Sequence, residues 1–185
     1  MARESAILRL VPNEPDQGVG EEERPSLEHA FLTYGSYVAQ IGRRLLGPGP
    51  EIEDFVQDVF LDARRGFASV RSADKVKGWI AAIAVRTAYR KLRRRRFRRL
   101  FWTKSEVDYS EVPGPGSSPE DAALLKRIYK ILDTLPPAQR IAWSLHVLHG
   151  ERQDDIAELC GCSTRTVKRR LAAARAAIHE VFGDG

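Results

Sequence analysis

The chain is predicted to be all-α, two small helical domains joined by a flexible linker, the C-terminal one carrying a helix-turn-helix. Three observations predict this. Apolar residues recur at spacings of three and four along most of the chain, no stretch alternates apolar and polar residues long enough for a sheet, and the Pro/Gly-rich passage Val112-Pro-Gly-Pro-Gly-Ser-Ser-Pro119 divides the periodic regions in two. No internal repeat is present.

Residues 1–25 carry Pro12, Pro15, Gly18, Gly20, Pro25 and the run Glu21-Glu22-Glu23, a composition that cannot build a core, and are expected to form a disordered acidic arm. Leu27, Phe31, Tyr34, Val38, Ile41 and Leu45 then step by four and three, which predicts a long amphipathic helix closed by Gly47-Pro48-Gly49-Pro50. A second helix follows, with Ile52, Phe55, Val56, Val59 and Phe60 on its apolar face and Asp54, Asp58 and Asp62 four residues apart on another. A third, over about 76–99, opens with Val76, Trp79, Ile80 and Ile83 and ends in Arg86–Arg99, where nine of fourteen residues are basic. These helices define a first domain over 26–99, and 100–120 is the linker.

In the second domain, 121–185, Leu124, Leu125, Ile128, Ile131, Leu132 and Leu135 mark a helix stopped by Pro136-Pro137, and Ile141, Ala142, Leu145 and Leu148 mark another stopped by Gly150. Ile156, Ala157 and Cys160 line a short helix, and Ala157 is small enough to let a second helix approach. Gly161 supplies the turn and Ser163 the N-cap of a final helix. Val167, Leu171 and Ala174 turn its apolar face inward, leaving Arg165, Thr166, Lys168, Arg169 and Arg170 largely outside. Cations there suit phosphates and guanine edges, and hydroxyls at the helix start add phosphate-facing donors, so this helix points to duplex DNA.

Composition sets the outer bounds. With 185 residues, 43% hydrophobic and 30% charged, the chain reads as a cytoplasmic globular protein; its longest apolar run, Trp79–Val85, is far short of the roughly 20 residues a bilayer needs. The acidic N-terminus has no signal-peptide layout. Cys160 and Cys162 are the only cysteines, too close for a mutual disulfide, too few for zinc, and expected as small core residues. The net charge of +5 is segregated into blocks, each suited to its own partner.

Several readings of these blocks remain open. Asp54, Asp58 and Asp62 suit magnesium-assisted cleavage, a solvated face, or docking on a basic protein surface, although a one-helix ladder is a poor two-metal site. The Arg tract of 90–99 suits phosphates, with Tyr89 and Phe97 placed to stack unpaired bases, or simply a soluble helix. The helix-turn-helix alone also fits an ordinary transcriptional regulator that binds a palindrome as a dimer.

The order of elements over 27–182 resembles the extracytoplasmic-function sigma factors, two-domain initiation subunits of bacterial RNA polymerase. Glu53-Asp-Phe-Val-Gln-Asp-Val-Phe60 resembles the family's acidic polymerase-clamp motif, and Trp79-Ile-x-x-Ile-Ala84 with the Arg tract its promoter-melting helix. Leu135-Pro-Pro-x-Gln-Arg140, Asp155-Ile-Ala-Glu-Leu159 and Thr166-Val-Lys-x-Arg-Leu171 resemble its minus-thirty-five reader. The resemblance implies a non-enzymatic subunit without cofactor or metal, whose partners are core RNA polymerase at its clamp and flap surfaces and promoter DNA.

By that resemblance Glu53, Asp54, Gln57, Asp58 and Phe60 dock on polymerase. Ser163, Thr164, Arg165, Thr166, Lys168, Arg169 and Arg170 read the upstream element. Ser69, Arg71, Ser72, Asp74 and Lys75, in the loop after the second helix, hold a flipped minus-ten base by position, while Trp79, Arg86, Tyr89, Arg90, Arg93 and Arg94 serve the melted strand. Periodicity also places Trp79 in the core. Three places depart from the pattern: Arg86 stands for a common asparagine, Arg90 for a frequent acid, and Gly150-Glu-Arg-Gln153 for a glycine followed by a hydrophobic-Ser-aromatic stretch. No long extension follows Phe182, so control is expected from a separate anti-sigma protein.

Overall fold

The computed structural model describes residues 26–47, 49, 51–70, 72–101 and 118–183. The predicted N-terminal arm, Arg71 and residues 102–117 of the predicted linker lie outside the described residues, while 100–101 and 119–120, expected as linker, are helical because the flanking helices run on past the predicted bounds. Those described form seven helices and no strand: α1 (Leu27–Leu46), α2 (Glu51–Gly66), α3 (Val76–Phe101), α4 (Pro119–Thr134), α5 (Pro137–Trp143), α6 (Gln153–Cys160) and α7 (Thr164–Gly183). Two short 3-10 turns, Phe67–Ser69 and Ala73–Lys75, join α2 to α3, and a π-helical turn, Ser144–Leu148, extends α5.

Each predicted helix is present, within a few residues of its expected ends, because the apolar spacing that predicts it is the face it buries. Ser26 caps α1 by accepting the His29 N–H at 3.0 Å, and Gly47 closes it at φ 91°. Val38, Ile41 and Leu45 of α1 pack with Phe55 and Val59 of α2 and Ile80 and Ala84 of α3. Two expected apolar positions face outward instead: Phe31 is 45% exposed with its edge on Phe60, and Leu124 is 52% exposed. The core uses Ala30, Tyr37 and Leu46 of α1 in addition.

The two helical modules share one core, which the sequence reading did not foresee. Ile141, Ala142 and Leu145 of the α5 region and Ile156 and Ala157 of α6 belong to the same buried cluster as α1, α2 and α3. Tyr129, Leu132, Leu135 and Ala174 form a smaller cluster within the second module.

Polar side chains complete the junction. Arg140, 1% exposed, donates from Nε to the Leu45 carbonyl at 2.9 Å and pairs with Asp133, which also takes Arg99 of α3 at 3.0 Å. Tyr129 Oη donates to the Arg43 carbonyl at 3.2 Å, and Arg95 Nη1 donates to the Leu46 carbonyl at 2.9 Å. His149 is buried with Nδ1 accepting from Arg44 at 3.3 Å. Burial first, and then the Arg44 charge, push its pKa down to about 3. Glu151, from the segment that departs from the family pattern, is also buried, 1% exposed, and its charge raises the Tyr37 hydroxyl, which burial raises more.

Two outcomes follow from this packing. At Gly42 an added Cβ would stand 2.6 and 2.9 Å from ring atoms of Phe55, itself fully buried. Gly42→Ala therefore costs stability although alanine favours helix by about 1 kcal/mol: overpacking wins, for a net loss of about 1–2 kcal/mol in urea unfolding. His149 binds its proton only weakly when folded, so its contribution is complete above its unfolded pKa of 6.5 and is lost as pH falls toward 3. Unfolding free energy should drop by about 1.4 kcal/mol between pH 7.5 and 5.5, and His149→Gln should remove that component.

Candidate functional site

The helix-turn-helix is set by local chemistry. Gly161 sits at φ 61° and ψ 42°, left-handed backbone that an L side chain resists, and the Cys162 N–H reaches back to the Ala157 carbonyl at 2.9 Å. Ser163 Oγ accepts the Thr166 N–H at 3.2 Å, which caps α7 as its position predicts. Ile156, Ala157, Val167 and Leu171 are buried between α6 and α7.

That geometry sorts the seven candidate residues of this helix. Arg165, Lys168 and Arg169 are exposed along α7. Thr164 donates to Asp154 Oδ1 at 2.8 Å, and Arg170 turns back onto Cys162 Sγ at 3.4 Å. Ser163 and Thr166 meet each other through their hydroxyls at 3.0 Å. Cys160 and Cys162 are partly buried rather than fully internal. Burial, then the neighbouring Cys162 thiol, raises Cys160 to about 11 against an opposing pull from Arg170, so Cys160 stays a protonated thiol.

The second candidate surface runs along α3. Arg86, Tyr89, Arg90, Arg93 and Arg94 are exposed, with Tyr89 41% and Phe97 62% accessible. The basic tract divides, however. Arg95 is buried on Glu51 at 2.8 Å and so committed to internal structure, and Arg99, although exposed, holds Asp133. Arg90 pairs with Asp62 and with Thr87 Oγ1 at 3.0 Å, and Lys91 pairs with Asp58 at 2.8 Å. Arg90, which stands for a frequent acid in the family, thus meets an acid of α2 instead.

In the loop before α3, Ser69 Oγ donates to the Gly66 carbonyl at 2.6 Å and Ser72 Oγ donates to Asp74. Asp74 and Lys75 are exposed. Trp79 is half-buried, its edge on Phe67 at 6.0 Å, and a Cβ on Gly66 would lie 3.2 Å from its ring. The periodicity places Trp79 in the core; its indole packs against that core at the start of this loop but stays partly exposed.

On α2 the expected docking residues Glu53, Asp54 and Gln57 are exposed and Asp58 is half-exposed beside Lys91. Phe60 is 7% exposed and supports the core. The exposed apolar groups nearby are Leu61, 61%, with Phe31 and Leu32, 45% and 76%, on α1. Sequence reading missed them because Phe31 fits the buried period, while Leu32 and Leu61 are single apolar residues off it. Among the described residues no group of three His, Cys, Asp or Glu is arranged to hold a metal, and no helix is long and apolar enough to cross a membrane.

The comparisons agree in both modules and in order. The family model for sigma-70 region 2 matches 30–98, and that for sigma-70 region 4 matches 125–178, together more than half of the chain. The extracytoplasmic-function (ECF) RNA polymerase sigma-E factor of Escherichia coli K12 is 27% identical over 176 residues, covering 88% of this chain and 92% of that protein. The corresponding factor of Salmonella typhimurium LT2 gives the same identity and coverage. A probable RNA polymerase sigma factor of Xanthomonas campestris, RfaY, is 28% identical over 130 residues, covering 68% of this chain and 32% of its own.

Two solved structures share the fold. The sigma factor RpoE from Bartonella quintana, crystallised with the anti-sigma factor NepR, aligns with a TM-score of 0.61 at 24% identity, covering 84% of this chain and 96% of that one. CnrH, in complex with the cytosolic domain of CnrY, aligns at 0.56 and 20%, covering 85% and 88%. With regions 2 and 4 both matched, in order and on the helices that carry the acidic and basic faces, the chain belongs to the extracytoplasmic-function group of the sigma-70 family.

Proposed function

We propose that this chain binds core RNA polymerase and directs it to a small set of promoters, reading a minus-thirty-five element as duplex and a minus-ten element as melted strand. The observation that carries this reading is the separation of two open basic faces onto two modules of a sigma-70 chain: Arg165, Lys168 and Arg169 on α7, and Arg86, Arg93 and Arg94 on α3.

The labour divides by element. Helix α7 presents its cations and its N-terminal hydroxyls to the major groove, where they fix register on phosphates and read base edges. Helix α3 offers cations interleaved with Tyr89, a pattern that holds a backbone electrostatically while bases stack on the ring. The loop residues Ser69, Arg71, Ser72, Asp74 and Lys75 take the flipped base, with Trp79 bracing them. Glu53, Asp54, Gln57 and Asp58 on α2 engage the polymerase clamp, supported from beneath by Phe60 and extended by the exposed Leu61. The second module docks on the flap.

In this reading residues 1–25 form an acidic arm, 26–99 the clamp and minus-ten domain, 100–120 the linker and 121–185 the minus-thirty-five domain. The chain has no catalytic activity of its own and works in the cytoplasm, at the nucleoid during initiation. The sigma factor RpoE of Bartonella quintana is held by the anti-sigma factor NepR, and we extend that class of partner to this chain.

Transcription in vitro with bacterial core polymerase and the purified chain, on a pooled genomic library with sequencing of RNA 5′ ends, tests the proposal. Starts that require the chain and lie downstream of one shared, asymmetric two-part motif are expected; a palindromic binding site without chain-dependent starts would assign it to the ordinary regulators. Asp58→Arg should weaken binding to core polymerase at least tenfold while circular dichroism shows the chain still helical, at a stability cost of about 1 kcal/mol for the lost pair with part-buried Lys91. Arg169→Ala should lower promoter affinity and reduce the salt slope of binding by about 1.

A further inference from the structure

Beside the C-terminal half of α3, where it faces α4 and α5, lies a cleft whose lining carries four guanidinium groups, Arg95, Arg96, Arg99 and Arg140, and one carboxylate, Asp133. Glu51, which pairs with Arg95, raises the acids that answer these cations to two. Two positive charges are left over in a wall that is otherwise apolar. Cations crowded in such a wall repel one another more strongly than they do in water, and an anion among them relieves that repulsion.

Hydrogen bonding sorts the four. Arg95 donates from Nε and Nη2 to Glu51 at 3.2 and 2.8 Å and from Nη1 to the Leu46 carbonyl at 2.9 Å, so each of its nitrogens is already engaged. Arg99 holds Asp133 with both terminal nitrogens, at 3.0 and 3.1 Å, which leaves Nε. Arg140 gives Nε to the Leu45 carbonyl and Nη1 to Asp133, and its Nη2 is buried without an acceptor. Arg96 is exposed and meets no acid among the described residues. A buried donor without an acceptor is costly in any fold, and here it belongs to a side chain only 1% exposed.

We propose that this cleft binds the phosphate tail of a small anion, inorganic pyrophosphate or a nucleoside triphosphate, with Arg96 and Arg99 on its phosphoryl oxygens and one oxygen reaching Nη2 of Arg140. The class follows from the donors. Guanidinium forks match phosphate oxygens and keep their charge at any physiological pH. One carboxylate would bring a single charge against two, whereas a phosphate tail brings enough. The enclosed space takes a group about the size of one water, so it seats one oxygen of a larger anion. The end of a phosphate tail can supply that oxygen; a phosphate of the DNA backbone, flanked by sugars on both sides, cannot enter as far. Arg96, Arg99 and Arg140 are also distinct from the residues assigned above to promoter contacts. Polymerisation consumes nucleoside triphosphates and releases pyrophosphate, so both ligands are at hand beside the proposed partner, although the site itself does not depend on that reading.

Calorimetric titration of the full chain with inorganic pyrophosphate, and separately with ATP, in magnesium-free buffer at about 0.15 M salt tests the site. One molecule per chain should bind with Kd below about 1 mM, and the melting temperature should rise by about 5 °C or more at a hundredfold excess over Kd. Arg96→Glu should weaken binding at least tenfold with circular dichroism unchanged, since Arg96 holds no contact in the fold. Arg98→Glu makes the same change in charge on the same helix but outside the cleft, and should leave affinity within about twofold. Arg140→Lys keeps the charge and removes Nη2, and should weaken binding as well; if it fails to fold, Arg96→Glu decides. The tighter ligand names the source of the tail. No saturable binding of either ligand overturns the site, and so do equal losses in Arg96→Glu and Arg98→Glu, which reduce it to diffuse attraction. Loss of duplex DNA affinity in Arg96→Glu, with neither ligand bound by the wild-type chain, overturns it too and gives the cleft to the DNA backbone. The functional reading stands under each outcome, because none of these assays contains polymerase.

Discussion

The carbonyl end of α1 is the constraint on which the rest of the structure depends. The last four carbonyls of any helix lack partners within it, and burying them unsatisfied is costly. Here that end is buried, with Leu45 and Leu46 inaccessible to water. Its partners come from four places: the Gly47 N–H and Tyr129 of α4 on Arg43, Arg140 of α5 on Leu45, and Arg95 of α3 on Leu46. One helix terminus thus fixes the approach of three other helices. Two of the donors are guanidinium groups, whose charge suits the negative pole of the helix dipole.

Such cations need counter-charges, and the fold supplies them from different sides. Arg95 is only 7% exposed but has Glu51 of α2; Arg140 has Asp133 of α4. Replacing buried pairs of this kind with apolar side chains is often neutral or stabilising, so stability alone does not explain them. What they specify is register. Arg95 sets α3 against the α1–α2 junction, and Arg140 sets the second module against the same helix end. Hydrophobic contacts among Ile141, Leu145 and Ile156 carry most of the attraction but little orientation, because apolar attraction is non-directional.

Most of the fold and part of the site were legible in the residues. Apolar spacing placed each helix, and Gly161 and Ser163 placed the turn and cap, because these depend on near neighbours alone. What local spacing cannot carry is the meeting of distant surfaces. Arg95 and Arg99 look the same in sequence as Arg93 and Arg94, yet the first two are tied to Glu51 and Asp133 while the others face solvent. Glu151, which the sequence marks only as a departure from the family pattern, is buried; Phe31 reads as core and is half-exposed. For Arg95, Arg99 and Phe31 the partner lies on another helix.

One trace of the shared core was nonetheless in the sequence. Trp79–Val85, the longest apolar run, serves in a reading by composition only to exclude a membrane span. A helix that packs on one side shows polar residues every turn, whereas Ile80, Ala81, Ile83, Ala84, Val85, Thr87 and Ala88 are all buried. Helix α3 meets α1 and α2 on the first module and α5 and α6 on the second. Burial around most of its circumference requires neighbours on opposite sides, and α1 and α2 alone cover one. The seven-residue run is too short to span a bilayer and too continuous for a helix with one wet face, which leaves a helix sandwiched between two modules. Past Leu92 the apolar coat ends and arginines take over: Arg95 and Arg99 still reach into the junction, on Glu51 and Asp133, while Arg93 and Arg94 face solvent.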